Sequence, residues 1–262
     1  MSDFNEILNA LNNANKKLEK QVYIPSLKKE VLARPLNAHH TKSLIKTAID
    51  GPFASNQFNM EIRNILKNIL DVDLSTVTIY DKPIILLQLR EHNISPELSV
   101  TIPDTNVESK INIEKHLKKF KKEKNVEDVT VERDGIVGTL NYPSIETEFQ
   151  FDNFLFQSQI SKINRNDMDQ MKSIIAPIFM SSLVMFLSTL TIGDSVIDMA
   201  TLSSSERLRI ADNLPSSFLT DVIAKIDECF GKNIQKILTV NTTHEDKNYS
   251  INIELDASLF LK

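Results

Sequence analysis

Residues 22–36, VYIPSLKKEVLARPL, predict a β-hairpin that leads directly into a helix. Both ends of this stretch are rich in β-branched and apolar residues, as short strands require, and a polar turn separates them. Pro25-Ser26 interrupts the first strand, and Pro35 disfavours an α conformation at Arg34, so the chain stays extended until it leaves the hairpin. The predicted strands are Val22–Ile24 and Val31–Ala33.

An amphipathic helix is predicted to follow the hairpin. Asn37 can cap its first turn, because a short amide side chain accepts hydrogen bonds from the first backbone N–H groups of a helix. Gly51-Pro52 would end it. Its apolar side consists of Leu44, Ile45, Ala48 and Ile49. Nothing in the hairpin or the helix indicates catalysis, so this stretch predicts a scaffold.

The composition excludes several classes of protein. The 262 residues carry 30 Lys and Arg against 35 Asp and Glu, a net charge of -5, which gives no general attraction to nucleic acid or anionic lipid. The single cysteine, Cys229, excludes an internal disulfide and a multi-cysteine zinc site, and it is compatible with a reducing compartment. The acidic N-terminus lacks the pattern of a signal peptide, so we expect no export by that route.

Residues 1–21 are predicted to form an amphipathic N-terminal arm. Phe4, Ile7, Leu8 and Leu11 recur at spacings of three and four, which places them on one side of a helix. Two interpretations are open. The apolar side of this helix could dock on a partner protein, or it could pack on the chain's own domain.

Residues 22–160 are predicted to form an α+β domain. Asp81 can cap the second of its later helices, and Asp134-Gly135 is a strong signal for a two-residue hairpin turn. The predicted elements are helices at 60–70 and 80–91, alternating strands between Glu97 and Ile113, and paired strands at 126–132 and 136–141. The polar segment 157–167 is the predicted boundary of this domain.

Residues 161–262 are predicted to form a mostly helical domain with a terminal hairpin. Helical patterns continue to about Gly231, and Ser203 with Glu206 fits a capping box. The predicted terminal strands are Gln235–Val240 and Tyr249–Leu255, joined by a polar turn at 241–247. The fold class is therefore α+β, helix-rich with short antiparallel hairpins, with an N-terminal α+β part and a mostly helical C-terminal part.

Residues 174–192 contain no charge, and an uncharged run of this length could in principle span a bilayer. Pro177 and five hydroxyl residues dilute its apolar content, and Asp194 and Asp198 follow it without any Lys or Arg. We therefore expect a buried helix of a large core and no membrane span.

No constellation for catalysis or metal binding is found. The five histidines lack the spacing of a metal-binding helix, Asp71 and Asp73 supply too few ligands, and Cys229 has no histidine near it in sequence. The basic segment 115–124 has a single aromatic residue, Phe120, and so predicts a solvated face and not a nucleic-acid site. A carboxylate pair assembled from distant residues, as an enzyme acting on the cell envelope would need, stays open.

The order of several short motifs resembles the T4-type bacteriophage baseplate hub protein family. The resemblance covers about residues 20–262 and rests on the order of the motifs, since each motif alone is weak. They are the Pro25-Ser26 and Arg34-Pro35 pair with Lys42, the segment Leu74–Arg90, the strand Gly135–Ser144, Gly193-Asp194, Glu206, Asn213-Leu214-Pro215 and the hairpin before Leu259-Phe260. Relatives with cysteine pairs could bind a metal, but 100–107 and 240–251 contain no cysteine, so no cofactor is carried over.

The resemblance implies a non-enzymatic structural or assembly component of the baseplate hub of a contractile phage tail. Its expected partners are other baseplate or hub proteins, with self-association possible, and its expected locations are the virion baseplate and, during assembly, the host cytoplasm. The alternative is a soluble chaperone of hub assembly that is absent from the finished virion. Our hypothesis for the partner-binding residues is Phe4, Ile7, Leu8, Leu11 and Arg34.

Overall fold

The chain folds into two compact units that interleave along the sequence. The computed structural model describes residues 4–48, 54–105, 107–120, 128–164 and 167–260. The first unit comprises Met1–Val77, Asp81–Glu123 and Gln235–Lys262, and the second comprises Thr78–Tyr80 and Lys124–Ile234. The boundary predicted near residue 160 lies within the second unit, and the terminal hairpin belongs to the first.

Over the residues that the structure describes, the first unit is made of helices and three separate two-stranded sheets. Its elements are α1 (Phe4–Lys17), β1 (Lys20–Ile24), β2 (Lys29–Ala33), α2 (Ala38–Ala48), α3 (Ala54–Ile69), α4 (Asp81–Asn93), β3 (Glu97–Thr101), β4 (Glu108–Asn112), α5 (Ile113–Leu117), β9 (Thr239–His244) and β10 (Lys247–Asn252). The sheets pair β1 with β2, β3 with β4 and β9 with β10, each antiparallel.

Helix α4 is the buried centre of the first unit. Every residue from Asp81 to Arg90 is buried, and this stretch combines an apolar run with four buried polar residues, Asp81, Lys82, Gln88 and Arg90. Two of these polar side chains, Gln88 and Asp81, bind the hairpin β1–β2. The Gln88 amide accepts from the Tyr23 backbone N–H at 3.0 Å and donates to the Tyr23 carbonyl at 2.9 Å, as a neighbouring strand would. The Asp81 carboxylate accepts from the Ser26 N–H at 2.9 Å.

The predicted hairpin and the cap that follows it are confirmed. Residues 20–33 form β1 and β2, and the chain leaves them with the Arg34 N–H donating to the Ile69 carbonyl at 2.8 Å. The Asn37 side chain then accepts from the His40 N–H at 3.1 Å in the first turn of α2. The predicted helix end at Gly51-Pro52 lies outside the described residues.

The second unit is built around a four-stranded antiparallel sheet of order β5–β6–β7–β8. The strands are β5 (Val129–Arg133), β6 (Ile136–Leu140), β7 (Leu187–Ile192) and β8 (Ser195–Asp198). The helices are α6 (Ile145–Ser158), α7 (Met168–Ser173), α8 (Ile175–Val184), α9 (Ser204–Ala211) and α10 (Ser216–Lys225). Helix α11 (Lys232–Leu238) follows, and its residues up to Ile234 belong to the second unit while those from Gln235 belong to the first. The predicted turn between β5 and β6 is confirmed, since Asp134 and Gly135 both have positive φ, at 52° and 76°.

One face of this sheet packs against α10 at very short range. A Cβ atom added to Gly138 would lie 2.9 Å from Cζ of Phe218 and 3.0 Å from Cδ2 of Leu187. Phe218 is fully buried, so its ring occupies the space that any larger residue at 138 would need. The glycine thus sets how closely α10 approaches the sheet.

The expectation of one buried helix over 174–192 is wrong. Helix α8 ends at Val184, strand β7 begins at Leu187, and Ile175 and Phe179 of α8 are exposed. The segment Leu187–Ile192 mixes apolar residues with Ser and Thr, and it joins the sheet by pairing with β6. None of the helices in the described ranges has the length and apolarity that a membrane span requires.

The fold class is confirmed as α+β, ending in the hairpin β9–β10, but the predicted bounds of that hairpin are wrong. Residues 235–238 are the end of α11, and the turn is the pair Glu245-Asp246, both with positive φ. Side-chain hydrogen bonds across the strands compensate for the polar sequence, with Ser250 donating to Asn241 at 2.8 Å. The predicted capping box of Ser203 and Glu206 is present at the start of α9.

Candidate partner-binding surfaces

Helix α1 carries the predicted stripe of Phe4, Ile7, Leu8 and Leu11. Their exposed fractions are 70%, 47%, 42% and 55%. In a helix these four positions lie within about one third of the circumference, so they form one continuous apolar strip. These four side chains are exposed to solvent. The strip is therefore not packed on the chain's own domain, which was the second of the two interpretations.

The opposite side of α1 is polar and lines a cleft of 770 Å³ within the first unit. Asn9, Asn13 and Lys16 are spaced so that they point away from the apolar stripe. The other wall of the cleft is formed by residues at the hairpin exit and at the end of α3, namely Arg34, Pro35, Asn37, His40, Asn68 and Ile69. Amphipathic helices usually turn their apolar side toward the protein, whereas α1 turns its polar side toward the rest of the first unit.

Arg34 has a local structural role and is also exposed. Its Nη1 atom donates to the Asn68 carbonyl at 3.2 Å, at the C-terminal end of α3, where positive charge interacts favourably with the helix dipole. The structure places Arg34 in the cleft beside the polar side of α1, and therefore not on the apolar stripe. The predicted partner-binding residues accordingly fall on two surfaces of the first unit.

His40 is held by reciprocal hydrogen bonds with Asn37. The Asn37 N–H donates to Nδ1 of His40 at 3.2 Å, which requires that nitrogen to carry no proton. Burial lowers the pKa of His40 from its ordinary value of 6.5, and the nearby His39 lowers it further. The cleft therefore presents a neutral imidazole at neutral pH, and its cationic residues are Lys16 and Arg34.

The remaining sequence candidates occupy structural positions. Asp73 accepts from the Ser75 N–H at 3.0 Å in a turn, and this hydrogen bond lowers its pKa. Cys229 is half-buried in a π-helical turn at Ile226–Gly231. Over the ranges that the structure describes, no group of three or more His, Cys, Asp or Glu residues could hold a metal ion.

The basic segment 115–124 is only partly described. Lys118 forms an exposed ion pair with Glu114 at 3.8 Å, and Lys119 lies 4.8 Å from the ring centroid of Phe120. Phe120 itself is buried, so it offers no surface for a base to stack on. Residues 121–127 lie outside the described residues.

The second unit has a surface that sequence reasoning missed. A pocket of 490 Å³ opens where the edge of the sheet meets α9, and its walls are mainly apolar. The lining residues are Ile192, Ile197, Leu202, Glu206, Arg209, Ile210, Asn213 and Leu214. Nothing in the local sequence marks it, because these residues come together only once β7 and β8 have paired.

Comparison with known proteins identifies the family. No curated protein and no solved structure matches the chain. The profile of the family described as T4 bacteriophage base plate protein matches residues 16–257, which takes in the hairpin β1–β2, the buried helix α4, the four-stranded sheet and the terminal hairpin. The apolar stripe of α1 precedes the matched segment. Since the match covers most of the sequence, the chain belongs to the T4 bacteriophage base plate protein family.

Proposed function

We propose that the chain is a non-enzymatic structural subunit of the baseplate hub of a contractile phage tail, and that it acts through protein–protein contacts. Membership of a base plate family supports a place in the baseplate. The observation that carries the proposal further is the exposed stripe of Phe4, Ile7, Leu8 and Leu11. A contiguous apolar strip on a helix is typical of a segment that binds in a groove of another protein.

The free energy available from the stripe is moderate. Full burial of such a side chain contributes about 1.5–3 kcal/mol, and these four are about half exposed, so completing their burial contributes on the order of 1 kcal/mol each. The loss of freedom on association costs at least as much as this sum. The stripe therefore serves as one anchor among several contacts, as in a multi-subunit assembly.

The first test replaces Leu8 and Leu11 with Asp. We expect the variant to stay folded, because neither side chain is buried, but to be lost from particles, because two carboxylates cannot be buried in an apolar groove. The measurement is the amount of the protein in purified particles after complementation in infected cells. The matched control places the same two charges at Ala10 and Lys17, which are exposed and belong neither to the apolar stripe nor to the cleft around Arg34, and it should be incorporated. Incorporation of the Leu8→Asp/Leu11→Asp variant at the wild-type level would contradict the proposal.

The alternative function, a chaperone of hub assembly in the host cytoplasm, makes the same contacts but leaves afterwards. Quantitative mass spectrometry of purified particles separates the two functions. A fixed ratio to other baseplate proteins supports a retained subunit, whereas detection only in infected-cell extracts supports the chaperone.

A further inference from the structure

Strand β8 forms an open edge of the sheet in the second unit. The strand order β5–β6–β7–β8 leaves one side of β8 without a partner strand among the described residues. The connection from β7 is the two-residue turn Gly193-Asp194, and Ile192 pairs with Ser195. In such a turn the closing pair is hydrogen-bonded, so the next alternate residues, Val196 and Asp198, direct their backbone N–H groups outward, as Val196 does its C=O. The C=O of Asp198 accepts a hydrogen bond from the Thr201 hydroxyl at 2.7 Å.

The centre of this edge lacks the usual protection. Exposed edge strands are normally protected from pairing by short length, a charge, a proline or a bulge. Strand β8 is short, with 4 residues, but its centre has none of the other three. The central residue of β8 is instead Val196, which is 71% exposed, more than any other large apolar side chain in the described part of the chain. An apolar β-branched side chain at this position favours pairing with a further strand.

The pocket described above lies on one face of the same edge. Ile197 of β8 and Ile192 of β7 line it from the sheet, and Leu202 and Ile210 line it from beyond the strand. A strand added to β8 would continue the sheet and direct every second side chain toward this face. The edge can therefore bind the backbone of an extended segment while the pocket receives one of its side chains.

The charges at this edge indicate the chemistry of the occupant. Exposed carboxylates stand at both ends of β8, Asp194 in the turn and Asp198 at the last position, and Glu206 lines the pocket. Two arginines lie nearby: Arg209 lines the pocket, and the buried Arg207 is close enough to Asp198 to interact with it. The accessible backbone edge itself is therefore apolar at its centre and acidic at its ends.

A second copy of the chain fits this edge poorly. The antiparallel register that pairs Val196 with Val196 of the other copy sets Asp194 opposite Asp198 twice. The alternative register that pairs Val196 with Asp198 loses the apolar contact. A segment with apolar residues at its centre and Lys or Arg at its ends avoids both penalties.

We propose that β8 accepts an extended segment of another baseplate protein as a fifth strand, with an apolar centre, basic ends and one apolar side chain in the pocket. The identity of the partner class rests on the proposed function, whereas the binding of such a strand does not. This surface is separate from α1, so the two can be tested independently.

The test uses the full chain and a labelled synthetic peptide, KVTVTVK, with binding followed by fluorescence anisotropy. Val196→Pro removes one outward N–H and leaves the β7–β8 hydrogen bonds in place, because the N–H of Val196 does not take part in them. We expect this variant to bind roughly tenfold or more weakly, as the loss of a hydrogen bond to a desolvated partner implies. Val196→Thr keeps the N–H and the β-branched shape, and should bind within about twofold of the wild type.

Two further readouts complete the test. Peptide binding should slow amide hydrogen exchange at Val196 and Asp198, and the charge-reversed peptide EVTVTVE should bind more weakly. Absence of binding by the wild-type chain, or equal binding by Val196→Pro, would overturn the proposal, as would a dimer of the chain that the peptide cannot displace. The Leu8→Asp/Leu11→Asp variant should bind the peptide normally. Peptide binding therefore tests β8 even if the apolar stripe of α1 turns out not to bind a partner.

Discussion

At the scale of single residues, the second unit depends on a position where a side chain is excluded. Gly138 lies in the middle of β6, where glycine is normally unfavourable because it contributes no packing and costs conformational entropy. On propensity alone, alanine would therefore stabilise this strand. The 2.9 Å distance from a Cβ atom at 138 to Cζ of the buried Phe218 reverses this expectation, because a ring in a packed core cannot move away.

We expect Gly138→Ala to lower the free energy of unfolding by about 1–3 kcal/mol, the usual cost of overpacking a core. The measurement is urea denaturation. Thr139→Ala, at the neighbouring half-buried position, serves as the control for a change of residue in the same strand. The double variant Gly138→Ala/Phe218→Leu should show less destabilisation than the sum of its single variants. An unchanged or raised unfolding free energy for Gly138→Ala would contradict the packing argument.

At the scale of elements, the hairpin β1–β2 is joined to its surroundings at each corner. Gln88 and Asp81 of α4 hold the strand and the turn, and Arg34 joins the hairpin exit to the end of α3. The motif Pro25-Ser26 and the segment Leu74–Arg90, which are far apart in sequence, are therefore joined by hydrogen bonds in the folded chain. Both motifs are thus needed for the fold of the chain itself, whether or not they also contact a partner protein.

Arg34→Ala tests whether this residue has a second role. We expect a small loss of stability, about 0.5–1 kcal/mol, because one exposed hydrogen bond and a favourable interaction with a helix end are removed. We also expect reduced incorporation into particles, as our partner-binding hypothesis requires. Lys29→Ala, another exposed cation of the same hairpin, is the control. A folded variant that is incorporated normally would leave Arg34 as the link between hairpin and helix alone.

Local sequence signals predicted these elements well wherever neighbouring residues determine the structure. The Asp134-Gly135 turn, the Asn37 cap and the Ser203–Glu206 capping box each involve residues within a few positions of one another. The uncharged run 174–192 misled the prediction because its second half becomes a strand only through pairing with β6. The edge at β8 was beyond prediction for a similar reason, since an edge is defined by the order of all four strands.

At the scale of the whole molecule, the last part of the chain completes the first unit, and a half-buried histidine, His116, contacts that last part. His116 of the segment after β4 contacts the carbonyl of Ile237 in α11 at 2.8 Å and packs edge-on against Phe120. Burial is the main cause of its lowered pKa, as it is for His40. Both residues belong to the first unit. Sequence patterns gave no sign of this arrangement, because it depends on contacts between residues more than a hundred positions apart.

These two histidines predict acid sensitivity of the first unit. Their pKa values are lower in the folded state than the ordinary 6.5, so as the pH falls below 6.5 the unfolded chain takes up protons that the folded chain does not. The stability that they contribute is thus present above pH 6.5 and is lost as the pH falls toward their folded pKa values. Hydrogen exchange at pH 7.5 and 5.5 should show the first unit opening before the second.

The matched variant for this prediction is His116→Gln, which keeps a donor for the Ile237 carbonyl and removes the titrating ring. Its unfolding free energy should depend less on pH between 7.5 and 5.5 than that of the wild type. A pH dependence as steep as in the wild type would assign the acid sensitivity to other groups.

The interleaving of the two units also sets the order in which they can form during translation. The second unit consists of residues up to Ile234, so all of its segments have been synthesised before the last part of the first unit leaves the ribosome. Helix α4 and the hairpin β1–β2 are made early, yet their unit stays incomplete until residues 235–260 arrive. The nascent chain therefore carries a finished later unit beside an unfinished earlier one. Until the terminal hairpin has been made, the β3–β4 region lacks its contacts with that hairpin. This is the stage at which the chain exposes most surface to a chaperone.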